Sequence, residues 1–326
     1  MGNAGHQLTF SEKLYRLILQ AMAWTYFCAP RLLQRLMGWC AGKLFLLLKY
    51  RRSVLVGNLE LAYPGDSAAQ VAFRRDTMRQ NYAHMGHLFL EIMMHFGPMR
   101  RFVERRVRLV GVEHWREAHA QGKGVILLGS HMGNWEVMSA AICVLEPTRS
   151  MMVTKHLKPE WLHRCLEESR TGCGIRAVYE PKLWSKVLAN LQNNGTVGYV
   201  LDQYAGHPIG VRVPYFGVPV GTNSAVAAYI RESGAQLVPI TNYRLDNGDF
   251  VVELLPPVAW ISDPHPQREL ALNTAQYVGV IEETVRRRPE QWLWTHRRFK
   301  GDLSPLREAD WTAFRDKVSP RRPQQR

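Results

Sequence analysis

Apolar residues follow two regimes along this chain. Through residues 54–108 they recur at mixed three- and four-residue spacings, the period of helices, with a Pro64-Gly65-Asp66 break. Further on, short continuous apolar runs alternate with amphipathic stretches. The run Val125-Ile126-Leu127-Leu128, opened by Gly122-Lys123-Gly124, predicts a strand buried on both faces of a mostly parallel sheet. Further strands are predicted over 150–154, 196–201, 237–243 and 250–255, and helices over 159–170, 182–193, 223–233 and 267–288. Strands alternating with helices predict an α/β fold, a mostly parallel twisted sheet flanked by helices and joined by crossovers. No internal repeat or long linker is visible. The expected organisation is an apolar helical membrane-associating segment over 1–50, an α/β domain over 51–318 and a disordered basic tail over 319–326.

The first fifty residues decide how the chain meets a membrane. No charge falls between Leu17 and Pro30, and Leu44 to Leu48 is apolar again, with Arg31, Arg35 and Lys43 between. The uncharged run is shorter than the roughly 18 to 20 residues of a spanning helix. No basic n-region and small-residue cleavage site bracket it, as a signal peptide requires. His6 stands where N-myristoylation after Gly2 needs Ser or Thr. The pattern predicts two apolar helices, with Trp24, Tyr26 and Trp39 and the flanking cations Lys49, Arg51 and Arg52 suited to the headgroup layer. Membrane attachment is expected, with one marginal span conceivable and the rest of the chain on the cytoplasmic face. Two buried helices of an ordinary domain are the alternative.

Composition narrows the classes. A chain of 326 residues with 46% hydrophobic residues builds a sizeable core and excludes intrinsic disorder. A mean hydropathy of −0.24 excludes a polytopic transporter. Lys and Arg number 42 against 28 Asp and Glu, a net +14, so an anionic partner is expected: nucleic acid, an anionic membrane or an acidic protein. Five cysteines form no C-x-x-C pair and no zinc-spaced cluster, which points to a reducing compartment and no metal.

Candidate chemistry follows the first buried strand, in Gly129-Ser130-His131-Met132-Gly133-Asn134-Trp135-Glu136. On one continuous helix, residues five apart lie roughly 140° apart around the axis, and His131 and Glu136 do not meet. If the chain turns at Gly133, His131 ends the strand, Asn134 caps the next helix and Glu136 sits in its first turn. A carboxylate there can hold one imidazole nitrogen and leave the other free to take a proton. Open α/β sheets place their sites at such strand ends. On residue types alone a structural histidine in a turn competes with this reading.

The H-x-x-x-x-E segment resembles that of the lipid A biosynthesis acyltransferases, within the broader glycerolipid acyltransferase group. The resemblance extends to Asn58-Leu59-Glu60-Leu61-Ala62-Tyr63-Pro64, to Arg170 with Gly172, to Leu201-Asp202-Gln203, to Val213-Pro214-Tyr215-Phe216-Gly217, and to the stretch from Pro289-Glu290-Gln291-Trp292 through His296-Arg297-Arg298-Phe299-Lys300. It implies a glycerolipid-acyltransferase-like fold and transfer of a fatty acyl chain from acyl carrier protein to a hydroxyl of a lipid A precursor at the inner membrane, without cofactor or metal.

The residue chemistry is compatible with direct transfer. There is no G-x-S-x-G elbow, so the acceptor hydroxyl is expected to attack the thioester itself, with His131 as general base oriented by Glu136. Arg170, Asp202 and Asn134 are candidate substrate contacts. Arg170 and Asp202 equally suit a structural ion pair, and Asn134 suits a helix cap. Trp292, Trp294 and His296 are expected in the core, and the basic pair Arg297 and Arg298 on a solvated face. The clusters Arg100-Arg101, Arg105-Arg106 and Arg286-Arg287-Arg288 suit an acidic carrier protein or membrane. The alternatives are another glycolipid or lysophospholipid as acceptor, a membrane scaffold without activity, and a basic nucleic-acid-binding protein. No zinc knuckle, helix-turn-helix or aromatic RNA-binding strand favours the last, and no nucleic acid is expected.

Overall fold

A computed structural model describes residues 9–146, 148, 150–306 and 308–318. Two helices open it, α1 (Phe10–Cys28) and α2 (Arg31–Leu47). Thr9 and Glu12 start α1 with a reciprocal capping box, and Pro30 fixes the entry to α2. Next come α3 (Arg52–Ala62) and α4 (Ala68–Ile92), on either side of the Pro64-Gly65 break, then α5 (Met99–Arg106) and β1 (Val107–Val110). Helix α6 (Val112–Ala120) leads to β2 (Val125–Gly129), α7 (Trp135–Leu145), β3 (Ser150–Val153), α8 (Glu160–Gly172), β4 (Ile175–Val178), α9 (Leu183–Gln192) and β5 (Thr196–Val200). The chain closes with β6 (Gly210–Tyr215), β7 (Val218–Asn223), α10 (Ala225–Ser233), β8 (Gln236–Arg244), β9 (Phe250–Leu254), α11 (Pro266–Arg287) and α12 (Glu308–Lys317).

Seven strands form the central sheet in the order β1-β9-β8-β2-β5-β3-β4. Every neighbouring pair is parallel except β8 with β9. Strand β2 lies between β8 and β5 and explains why its sequence is continuously apolar. Ile126 and Leu128 enter one core while Val125 and Leu127 enter the other. Each such side chain, fully buried, contributes about 1.5 to 3 kcal/mol.

The four later strands and four later helices predicted from periodicity are present within about two residues of their predicted ends, within the usual uncertainty of boundaries. The structure adds β1, whose first two residues fall within the stretch over 54–108 whose spacing predicts helix, because the arginine-rich segment before it keeps a helical period. It also adds β4, α6 and the β6–β7 hairpin, in which Pro214 pairs with Pro219. Proline argues against a strand in a sequence, yet an isolated two-stranded ribbon has edges where no ladder bond is lost. Among the described residues no helix is long and apolar enough to cross a membrane. The marginal span considered from sequence is therefore not built: Glu12, Lys13 and Arg16 lie in the first turns of α1, and Arg31, Arg35 and Lys43 lie in α2. The tail at 319–326 lies outside the described residues.

Helix α2 lies against α4 at a close crossing. A Cβ on Gly86 would run into the backbone of Gly38 and Gly42, and one on Gly42 would meet Ala83 Cα at 2.7 Å. Only glycines allow the two backbones this approach, and relief would require moving a whole helix. Gly86→Val is expected to lower stability by about 1 to 3 kcal/mol, read by denaturant unfolding. An unchanged midpoint would mean that α2 is loosely held.

Candidate active site

Register brings the site together. Gly129 at the end of β2 pairs with Val200 at the end of β5. His131 and Asp202, each two residues further on, are therefore side by side. Asp202 Oδ1 lies 2.7 Å from His131 Nδ1, and its Oδ2 accepts the His131 backbone N–H at 2.7 Å and the Trp292 indole N–H at 2.7 Å. Asp202 is 3% exposed. Burial raises its pKa, but His131 and these hydrogen bonds outweigh that and hold it below its ordinary value. An ionised carboxylate only accepts, so Nδ1 carries the proton and Nε2 presents its lone pair. Gln203 Nε2 lies 3.3 Å from that second nitrogen, as a donor would. Burial lowers the His131 pKa, the Asp202 charge and hydrogen bond raise it, and Glu136 adds to the rise; the net shift is upward.

The carboxylate on the imidazole is thus Asp202, and the expected orientation of His131 by Glu136 is corrected. The chain does turn at Gly133, with φ of +57°, where a Cβ would collide with Asn242. That turn swings Glu136 toward α8, where Arg170 grips it with Nη2 at 2.7 Å and Nε at 3.2 Å. His95 Nε2 lies 3.0 Å from the same carboxylate, and His95 Nδ1 lies 2.9 Å from Ser169 Oγ. Burial would raise the Glu136 pKa, but His95 and Arg170 drive it well below the carboxylate range. The Arg170–Asp202 pair weighed from sequence is not made: Arg170 turns its Nε and Nη2 to Glu136. Asn134 caps α7, its Oδ1 accepting from Glu136 N and Val137 N, and it is fully buried.

The rest of the turn is equally committed. Gly133 N donates to Gln291 O at 2.9 Å, Asn134 N to Asn242 Oδ1 at 2.7 Å, and Asn242 Nδ2 to Met132 O at 2.7 Å. Trp292 and Trp294 are in the core as expected, although Trp292 also donates to the site carboxylate, and His296 is half-buried; Arg298 is not on a solvated face. It is fully buried, with Nη1 donating to Gln203 O and Gly221 O and Nη2 to Thr222 Oγ1. Those bonds tie the loop carrying Asp202 and Gln203 to the β6–β7 hairpin. His95, Gln203, Asn242 and Gln291 carried no separate signal in the sequence. Only Gln203, next to Asp202 in the motif, and Gln291, beside Trp292, were within reach of it.

A half-buried imidazole with one nitrogen fixed by a carboxylate and the other beside the Gln203 amide, at the strand ends of a parallel sheet, is an arrangement able to exchange a proton with a substrate. Residues 8–301 match the family model described as bacterial lipid A biosynthesis acyltransferase, and the chain belongs to that family; it is an acyltransferase. Among curated relatives, a lipid A biosynthesis lauroyltransferase of Escherichia coli K12 is 29% identical over 276 residues, covering 81% of this chain and 84% of that protein. A lipid A biosynthesis palmitoleoyltransferase of the same organism is 26% identical, covering 78% and 80%. A phosphatidylinositol mannoside acyltransferase of Mycobacterium tuberculosis H37Rv is 24% identical, covering 64% and 66%.

Glu136→Gln leaves the buried Arg170 guanidinium without its counter-charge and is expected to cost about 3 to 5 kcal/mol of stability at neutral pH. The folded Glu136 carboxyl is held below its ordinary 4.5. Its contribution is therefore present above that pH and is lost as acid protonates it. Unfolding curves across pH check this, since the gap between the two proteins should narrow on acidification. A gap that stays constant would contradict the shift.

Proposed function

We propose that the protein transfers a fatty acyl chain from an acyl carrier protein thioester to a hydroxyl of a lipid A precursor, with His131 as general base and Asp202 as the residue that orients it. The observation carrying this reading is the His131 imidazole, whose Nδ1 Asp202 holds and whose Nε2 turns its lone pair toward the Gln203 amide, where an acceptor hydroxyl could replace that contact. The acceptor hydroxyl gives its proton to Nε2 as its oxygen attacks the thioester carbonyl carbon. The carbon–sulfur bond then breaks, and the imidazolium returns the proton to the departing thiolate. Gln203 Nε2, beside Nε2 of the base, supplies a donor for the oxygen that gains charge. Glu136 and Arg170 act by holding the turn, and Asn134 acts as its cap.

Attachment to the cytoplasmic face of the inner membrane belongs to the same proposal. Phe10, Leu17, Leu32 and Leu47 are 83, 62, 77 and 77% exposed, with Trp24 and Trp39 beside them. These faces suit helices lying in the interface rather than across it. Vesicles of anionic phospholipid should retain the enzyme in high salt and release it to detergent. Complete release by salt would leave only electrostatic attachment.

The test of activity combines acyl carrier protein bearing a defined chain with a tetra-acylated lipid A precursor and weighs the product. One added acyl group is expected, with His131→Ala slower by about 100- to 10,000-fold. The base must be neutral, so kcat/KM should rise with pH through a His131 pKa above the ordinary 6.5. Asp202→Asn removes what raises that pKa, so it should move the acid limb to lower pH while reducing the plateau. An acid limb unmoved in Asp202→Asn, or near-normal turnover in His131→Ala, would refute the assignment.

A further inference from the structure

A polar cavity of about 470 Å³ opens between α2, α4 and the turn joining β8 to β9. Five arginines from four parts of the chain line it: Arg31 and Arg35 from α2, Arg106 at the end of α5, Arg244 at the end of β8 and Arg288 just after α11. Two of them are neutralised by close acids. Arg244 grips Glu91 with Nε at 2.6 Å and with Nη2, and Arg31 lies 2.6 Å from Asp249. The other three are not. Arg106 is 3.9 Å from the already paired Asp249 and gives its Nη2 hydrogen to the neutral Gln34 carboxamide at 2.6 Å. Among the described residues no carboxylate lies within 4.0 Å of Arg35 or Arg288, and the Arg288 guanidinium rests on the Tyr243 ring at 4.6 Å. Of the remaining lining acids, Asp246 is exposed on the turn and Glu290 is half-buried.

The same arginine charges act on the neighbouring histidines. His87 is pushed down to about 4 by burial first, then by Arg244 and Arg35. His84 is lowered by burial first and then by Arg244, whose Nη1 lies 2.9 Å from His84 Nδ1. Both rings are neutral at physiological pH and add no positive charge of their own. The excess cation is therefore on arginine, whose planar fork matches phosphate oxygens.

We propose that this cavity is a phosphate-binding subsite in which Arg35, Arg106 and Arg288 take the oxygens of one phosphate group. Three forks approaching from different parts of the chain suit a tetrahedral anion better than a planar carboxylate, which one fork satisfies. Placement favours a phosphate on a lipid. Helix α2 turns Arg31 and Arg35 to the cavity and Leu32, Leu36 and Trp39 outward, so the arginines flank the surface proposed to lie at the bilayer interface. The inner wall is also the back of the His131 turn. Gln291 accepts from Gly133 N, and Glu91 lies 3.4 Å from Asn134 Nδ2. The inference rests on the reading of the acceptor as a membrane lipid, and the phosphate is either the acceptor's own or the headgroup of a neighbouring phospholipid.

Thermal unfolding of the full chain with inorganic pyrophosphate tests the site without any acyl transfer. Wild type should gain stability, and Arg35→Ala/Arg288→Ala should lose most of the gain, with the double lysine variant recovering part of it. Kinetics in phospholipid-free detergent then identify the source. With a phosphorylated acceptor the alanine variants should raise KM by about tenfold or more at little-changed kcat, and a phosphatase-treated acceptor should abolish the difference from wild type. If the variants differ from wild type only when phospholipid vesicles are added, the bound phosphate is the neighbouring headgroup. Absence of a pyrophosphate shift in wild type, or an undiminished shift in the double variant, overturns the proposal. Failure of acyl transfer with every acceptor would instead refute the proposed function, while the pyrophosphate result would still read this cavity.

Discussion

One buried carboxylate organises the site. Asp202 accepts from the backbone of His131, faces its ring and accepts from the indole of Trp292, so it joins the ends of β2 and β5 to the segment following α11. Removing a carboxylate from water is expensive, and Asp202 remains charged only because those three partners replace its hydration. The same bonds fix which imidazole nitrogen is free. Orientation and tautomer are thus consequences of strand register, since Gly129 and Val200 are paired and His131 and Asp202 each lie two positions beyond.

The turn from His131 to Glu136 is held on two further sides by buried arginine–glutamate pairs. Arg170 grips Glu136, with His95 alongside; Arg244 grips Glu91, with His84 alongside. Such pairs gain little over well-packed apolar side chains, because desolvation offsets most of the Coulomb attraction. Their effect here is directional. A bidentate pair admits one geometry, and two of them flanking a glycine turn leave that turn little freedom to rotate the imidazole away.

Much of this was legible in the sequence and some of it was not, for a physical reason. Apolar runs and helical periods are local, and they located the buried β2 and the helix capped by Asn134. His131, Glu136, Arg170 and Asp202 were all recognised as chemically loaded. Their partners were not, because partners depend on strand order: β5 lies beside β2 although two other strands of the sheet intervene along the chain. Sequence proximity suggested Glu136 for the imidazole, whereas register gives Asp202. Arg298 looked like part of a solvated basic pair, since a buried guanidinium satisfied by carbonyl and hydroxyl oxygens leaves no local pattern.

The balance of forces on His131 sets its usefulness. Burial favours the neutral ring, while Asp202 and Glu136 favour the protonated one, and the charges win. A larger excess would make a poor base, protonated before any hydroxyl arrived. Turning Glu136 toward Arg170 limits that excess: its charge is met by a guanidinium and reaches the imidazole only as a lesser contribution. Had both carboxylates faced the ring, as the spacing in the sequence suggests, the imidazole would hold its proton more tightly near neutral pH. Dividing the two acids between two basic partners leaves one of them fixing the imidazole and the other holding the turn.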